Sequence, residues 1–265
     1  CDTIVEPYLS RQWFVRMKPL AKRAIEVAKK KQVRFIPGRW LKVYLNWMNN
    51  IRDWCISRQI WWGHPLPVWY CDECEAIVVA RETPVQCTAC SSRRLTQDAD
   101  VLDTWFSSWL WPFSTLGWPE ETKDLAYFYP TSVLSTAPEI LFFWVARMIM
   151  AGFEFMDDIS FHTVYLHGTV RDESGKKMSK SLGNSIDPLE IIDEIGADAL
   201  RFIIISLTAQ GQDVYLSKQR FEMGRNFTNK IWNAARFSFM NMQGFRDGQC
   251  GLTVAGDDLS VVDRW

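Results

Sequence analysis

The chain has 265 residues, with Lys+Arg 30 against Asp+Glu 31 and a formal net charge of −1. Apolar residues make up 48% and charged residues 23%, which supplies a real core and excludes a disordered or collagen-like chain. Near-neutral charge argues against a protein that coats polyanions, though local basic patches stay open. The longest apolar run, residues 140–146, is closed by Arg147. That is far short of the about 20 residues needed to cross a bilayer, so no membrane is expected as a partner.

In chain order, residues 16–31 place Leu20, Ile25 and Val27 among many Lys and Arg, the pattern of a basic amphipathic helix. Residues 41–54 repeat Leu41, Leu45 and Met48 at spacings of three and four, predicting a second helix. Trp61-Trp62-Gly63-His64-Pro65-Leu66-Pro67 then reads as a rigid connector, because two prolines exclude helix. After a cysteine-rich stretch, Pro112, Gly117 and Pro119 mark loops, and residues 140–150 predict a strongly apolar helix. Residues 161–166 are rich in β-branched and aromatic side chains and predict a strand. Residues 171–184, with Gly175 and Gly183, predict a loop. Asp187-Pro188 then supplies an N-cap and a first-turn proline for a helix. Further helices are predicted over 197–207 and 217–242, so an α/β region runs into an all-helical one.

Seven cysteines occur, and the opening Cys1-Asp2-Thr3 lacks the basic and apolar regions of a secretory leader. A reducing, cytoplasmic setting is therefore expected, where thiols or metal ligands are favoured over disulfides. Cys71-x-x-Cys74 and Cys87-x-x-Cys90 form two knuckles separated by twelve residues. Four thiolates converging from two knuckles match a closed structural Zn²⁺ site and leave no position for a catalytic water. Cys1, Cys55 and Cys250 lack such partners and read as ordinary thiols.

Residues 172–184 read Asp-Glu-Ser-Gly-Lys-Lys-Met-Ser-Lys-Ser-Leu-Gly-Asn. Lysines 176, 177 and 180 sit on a glycine-hinged loop just after a predicted strand, where ammonium groups can neutralise charge on departing phosphates. With little apolar content, the loop is expected to be mobile and weakly held. A Walker loop is excluded, because six residues separate Gly168 from Gly175 where four are needed.

Lys177-Met178-Ser179-Lys180-Ser181 is letter for letter the KMSKS motif, and the chain here resembles the class I aminoacyl-tRNA synthetases. Ile56-Ser57-Arg58-Gln59-Ile60-Trp61-Trp62-Gly63-His64, Asp100-Val101-Leu102-Asp103-Thr104-Trp105-Phe106-Ser107-Ser108 and Phe142-Phe143-Trp144-Val145-Ala146-Arg147-Met148 look like the valine-specific branch of that family. The resemblance runs from about Pro7 to Trp265. It implies an α/β fold: the second half of a class I synthetase Rossmann-type catalytic domain with an inserted zinc ribbon, followed by the start of an α-helical anticodon-binding bundle. The implied limits are 1–68 for a segment returning from an editing insertion, 69–97 for the zinc ribbon, 98–212 for the catalytic half and 213–265 for the helical start.

The implied reaction is ATP-dependent activation of valine and its transfer to tRNA(Val), with Mg²⁺ accompanying ATP. Lys177, Ser179 and Lys180 would act on the leaving pyrophosphate. His167, Gly168 and Lys180 would contact ATP. Trp105, Ile140 and Trp144 would wall the valine pocket, with Glu139 near the ammonium. Many relatives carry Gly-x-Asp where this chain has Ala137-Pro138-Glu139. Glu139 also reads simply as a carboxylate favoured at a helix N-terminus. Arg201, Arg220, Arg225 and Lys230 read either as tRNA phosphate contacts or as solvated helix faces. The family's His-x-Gly-His motif is missing, since Trp61 stands where the first His belongs. A monomeric piece unable to complete the reaction alone is therefore expected. Two rival readings remain open at this point: a zinc-ribbon nucleic-acid-binding module without catalysis, and the isoleucyl relative.

Overall fold

A computed structural model describes residues 9–242 together with Ile4 and Glu6. Cys1, Cys250 and residues 243–265 lie outside the described residues. The described chain divides into two compact units. One runs to Gly168 and includes Gln210–Gln212; the other comprises Thr169–Ala209 and residues 213–242.

The first unit opens with β1 (Phe14–Val15) and α1 (Met17–Lys29). In α1, Met17, Ala21, Ala24 and Ala28 recur at spacings of four, three and four and are buried, which forms one inward stripe. The parallel strand β2 (Arg34–Ile36) follows, then α2 (Arg39–Asn49). This helix ends five residues before the predicted limit at residue 54. Asn50 Nδ2 donates to the Asn46 carbonyl at 2.8 Å, so a side chain takes over a terminal acceptor and the helix stops. Trp54 belongs instead to β3 (Trp54–Cys55), which pairs antiparallel with β1.

Next come β4 (Ser57–Arg58), the ribbon strands β5 (Val68–Cys71), β6 (Ile77–Val79) and β7 (Leu95–Gln97), and β8 (Val101–Leu102). β5 is central in the ribbon sheet, antiparallel to both β6 and β7, and β4 pairs with β8. Three short helices follow: α3 (Thr104–Ser108), α4 (Trp111–Ser114) and α5 (Lys123–Phe128).

The core sheet is parallel in the order β2–β10–β9, with β9 (Thr131–Thr136) and β10 (Phe161–Leu166). The sequence places β10 at its observed limits. As the central strand it buries Phe161, Thr163, Val164 and Leu166. Between β9 and β10 the predicted apolar helix forms, but not as one α-helix. A 3-10 turn (Pro138–Ile140) passes into a π turn (Leu141–Val145), then α6 (Ala146–Ala151) and a second π turn (Gly152–Met156). Every residue of α6 is buried, so no amphipathic period fixed its turn type in the sequence. Gly152 is needed for close approach, because a Cβ there would lie 2.5 Å from Ser160 Oγ and 2.8 Å from the Asp158 carbonyl oxygen.

The second unit contains β11 (Val170–Arg171), α7 (Pro188–Glu194), α8 (Ala197–Leu207), β12 (Val214–Tyr215) and α9 (Lys218–Asn241). Asp187 caps α7 as the sequence predicts, its Oδ1 accepting from the Leu189 amide at 2.9 Å. Ile191, Ile203, Val214, Leu216 and Phe221 form its core. Phe202 stacks on Phe227 at 4.4 Å between ring centroids. No helix among the described residues is long and apolar enough to cross a membrane.

Candidate functional site

The C-terminal ends of β9 and β10 deliver four of the residues singled out for ATP and amino acid: Glu139, Ile140, His167 and Gly168. In a parallel sheet this edge is where ligands bind, since loops leave it with backbone amides and helix starts. β10 leads into His167 and Gly168, and the His167 amide donates to the Thr136 carbonyl at 3.1 Å. β9 leads through Ala137 into the 3-10 turn that carries Glu139 and Ile140. Glu139 is exposed and Ile140 half-buried. After β2, Arg39 donates to the Gly211 carbonyl at 2.5 Å. A Cβ on Gly211 would come within 2.2 Å of Pro37 Cγ, so glycine is required there. Sequence reasoning gave Gly211 no role, because its partner lies over 170 positions away.

Trp105 on α3 and Trp144 in the first π turn are brought together through their surroundings. Trp144 Nε1 donates to the Ser108 carbonyl at 2.8 Å, and Trp105 stacks on Phe143 at 6.0 Å. Ile140 ends a 3-10 turn while Trp144 lies in a π turn, so the single α-helix expected over residues 140–150 does not carry this pair. Beneath these residues sits a cluster that the sequence did not single out. Asp103 is 6% exposed and accepts from Trp54 Nε1 at 2.8 Å and from Arg58 Nη2 at 2.7 Å. It also caps α3 through the Trp105 amide at 3.4 Å.

The lysine loop lies in the second unit, and its backbone is firmly held, contrary to the expectation of weak contacts. Asp172 Oδ1 accepts from Ser174 Oγ at 2.7 Å and from the Lys176 amide at 2.9 Å. Asn184 Nδ2 donates to Asp172 Oδ2 at 2.7 Å, and Asn184 Oδ1 accepts from the Ser179 amide at 2.9 Å. Asn184 therefore straps Asp172, ahead of the KMSKS segment, to Ser179 in its middle, which an amide can do because it both donates and accepts. Met178, half-buried, packs on the core of this unit and anchors the middle. Lys176, Lys177, Lys180 and Ser181 remain exposed. Ser179 Oγ lies 2.8 Å from Ser181 Oγ. The sequence signal for Asp172 was present, since Asp-x-Ser-Gly favours a side-chain-closed turn. That for Asn184 was only its place after Leu-Gly.

Asn184 and Ser174, with the Lys176 amide adding to them, hold the Asp172 carboxyl down at about 2. Its folded value thus lies below the unfolded value of about 3.9. The stabilisation is present above pH about 4 and is lost as pH falls through about 2. In Asn184→Ala, a carboxyl-carbon NMR titration of Asp172 is expected to move up toward the unfolded value. A value still near 2 would show that the amide strap is not its cause.

All four knuckle Sγ atoms lie within 4.8 Å of one another, with Cys71–Cys90 at 3.5 Å and Cys74–Cys87 at 3.7 Å. A sulfur tetrahedron with metal–sulfur bonds of about 2.3 Å has edges of about 3.8 Å, so the set fits Zn²⁺. Each knuckle turns identically. Glu75 and Ser91 take φ of 58° and 60°, and their amides donate to the Cys71 and Cys87 carbonyls at 2.9 Å. The Cys74 and Glu73 amides hold the Cys71 thiol down at about 7, while burial and the neighbouring thiols push Cys74 and Cys90 up. Hydrogen bonding to sulfur favours the thiolate that a metal needs.

A family model described as "tRNA synthetases class I (I, L, M and V)" matches residues 3–217. Valine–tRNA ligases are similar over the whole chain: 58% identical for Thermotoga maritima over 265 residues and 59% for Fervidobacterium nodosum. The chain spans 30% of the length of each of these relatives. Among solved structures, Mycobacterium tuberculosis methionyl-tRNA synthetase in complex with methionyl-adenylate superposes with a TM-score of 0.64 at 19% identity, covering 88% of this chain and 41% of that one. The LeuRS–tRNA–LeuAMS ternary complex of Agrobacterium radiobacter K84 gives 0.60 at 24%, covering 69% and 28%. At such identities these two structures show the fold.

Proposed function

Because the chain belongs to the class I tRNA synthetases of the isoleucine, leucine, methionine and valine group, we propose that it forms the second half of the catalytic domain of a valine–tRNA ligase. The observation that carries this reading is the match to valine–tRNA ligases across all 265 residues at 58% identity. The full-length enzyme would join valine to ATP, release pyrophosphate, and pass valine to tRNA(Val).

In this mechanism the chain's own residues position and neutralise, and no covalent nucleophile is involved. Lys177 and Lys180 balance the charge that grows on the departing pyrophosphate, and Ser179 shapes the loop that holds them. The backbone at His167 and Gly168 lies against the nucleotide, where glycine permits close approach. Trp105, Ile140 and Trp144 enclose the branched side chain and exclude isoleucine by size, while Glu139 pairs with the ammonium. Threonine is nearly isosteric with valine and is rejected only about 10²-fold by such a pocket, a figure that comes from valyl-tRNA synthetases themselves. Mg²⁺ would arrive with ATP and be held mainly by phosphate oxygens. Zn²⁺ held by Cys71, Cys74, Cys87 and Cys90 would serve folding, since four thiolates complete its coordination. A zinc-ribbon binding module without catalysis would leave the lysine loop without a task.

The test is valine-dependent exchange of pyrophosphate into ATP by the full-length enzyme. Exchange with valine far above isoleucine is expected, and the reverse preference would move the chain to the sister specificity. Glu139→Gln should raise the valine KM roughly 10–100-fold, the scale of one lost charge-assisted hydrogen bond, with the ATP KM unchanged. An unaltered valine KM would remove Glu139 from the pocket.

A further inference from the structure

Arg147 is the strangest buried group in the first unit. It is 7% exposed, and its Nε and Nη1 are buried without a hydrogen-bond partner. Its nearest carboxylate, Asp103, lies 3.7 Å away and is already bonded to Arg58 and Trp54. One carboxylate therefore serves two guanidinium groups. Burial pushes the Arg147 guanidinium down to about 10, Asp103 opposes the fall and Arg58 adds to it, so the group remains charged at neutral pH.

A buried charge so poorly bonded is weak support for folding, since apolar residues of the same volume commonly replace such groups without loss. Its neighbours are aromatic faces. The guanidinium carbon stands 3.5 Å from the Trp54 ring centroid and 5.9 Å from that of Phe143. Phe143 in turn stacks on Trp105 at 6.0 Å. Trp54, Arg147, Phe143 and Trp105 thus form one continuous stack. Arg147 sits three residues beyond Trp144 on the same helical run, and Asp103 caps the helix that carries Trp105.

We propose that Arg147 is a positioning residue for the amino-acid pocket, a planar spacer between Trp54 and Phe143 that fixes the gap between the elements carrying Trp105 and Trp144. This rests on the valine-pocket reading above. The planar guanidinium is suited to the task, since it stacks on rings and is weakly hydrated, whereas a lysine ammonium does neither.

The experiment uses the full-length enzyme with Arg147→Lys and, where folding suffers, Phe143→Leu at the half-exposed ring that joins Arg147 to Trp105. Arg147→Lys keeps the charge beside Asp103 but removes the slab. Its valine KM is expected to rise about tenfold or more in pyrophosphate exchange, with valine–isoleucine discrimination reduced, the ATP KM within twofold and the melting temperature nearly kept. Phe143→Leu should shift the valine KM in the same direction. A lowered melting temperature with an unchanged valine KM in both variants would overturn the proposal and leave Arg147 a packing residue. Absence of valine-dependent exchange in the unsubstituted enzyme would instead overturn the ligase reading itself.

Discussion

Replacing Lys180 by alanine in the full-length enzyme is expected to slow adenylate formation roughly 10²–10³-fold while ATP affinity stays nearly intact. The side chain is exposed on the short turn Lys180–Leu182, so it supports no core and its loss should barely move the melting temperature. Its charge matters where negative charge grows, on the pyrophosphate as it departs, and differential binding of that state is what raises a rate. The Asp172–Asn184 strap strengthens the expectation, because a backbone held before ATP arrives spends no reorganisation at the moment of reaction. Pre-steady-state adenylation measured beside equilibrium ATP binding decides it. Equal losses in both would show uniform binding of ATP, and a normal rate would take the loop out of the chemistry.

The second large effect concerns the four cysteines. Metal analysis should find one zinc per chain, and Cys74→Ser should lose it and unfold the ribbon. Only Trp69, Cys71, Val78 and Cys87 form that module's buried core, and two of the four are themselves ligands. Such a core cannot offset the ordering of about thirty residues at about 1–2 kcal/mol each. Zinc binding, worth about 10–16 kcal/mol in zinc-finger peptides, adds a large stabilising contribution beside that small core. Hydrogen exchange should therefore rise throughout residues 68–97 while α8 and α9, which belong to the other unit with its own core, stay protected. A zinc content near zero in protein purified without chelator would sink the claim.

What the sequence disclosed followed the range of the forces involved. The knuckles, the strand Phe161–Leu166 and the Asp187 cap are written in neighbouring residues, and each forms as read. The Asp103 cluster was hidden because its members stand at positions 54, 58, 103 and 147, and only tertiary packing joins them. The overlong second helix came from carrying the spacing of Leu41, Leu45 and Met48 past Asn50, whose side chain ends the helix locally. In the lysine loop, polarity was taken for looseness. Polar side chains of the right shape can instead replace a core with a closed hydrogen-bond circuit, as Asp172 and Asn184 do.

The π turn at Leu141–Val145 has a bearing on which changes this segment can accept over time. A π turn holds one residue more than the α turn it replaces, and an α-helix rotates by about 100° per residue. Deleting any single residue between 141 and 145 would let the run relax into plain α-helix. Glu139 and Ile140 would keep their direction relative to the fully buried α6, because the π turn and the α turn that replaces it each complete about one rotation. The same deletion inside α6 would instead swing everything before it by about 100°. Descendants of this sequence should therefore lose a residue between 141 and 145 before they lose one in α6.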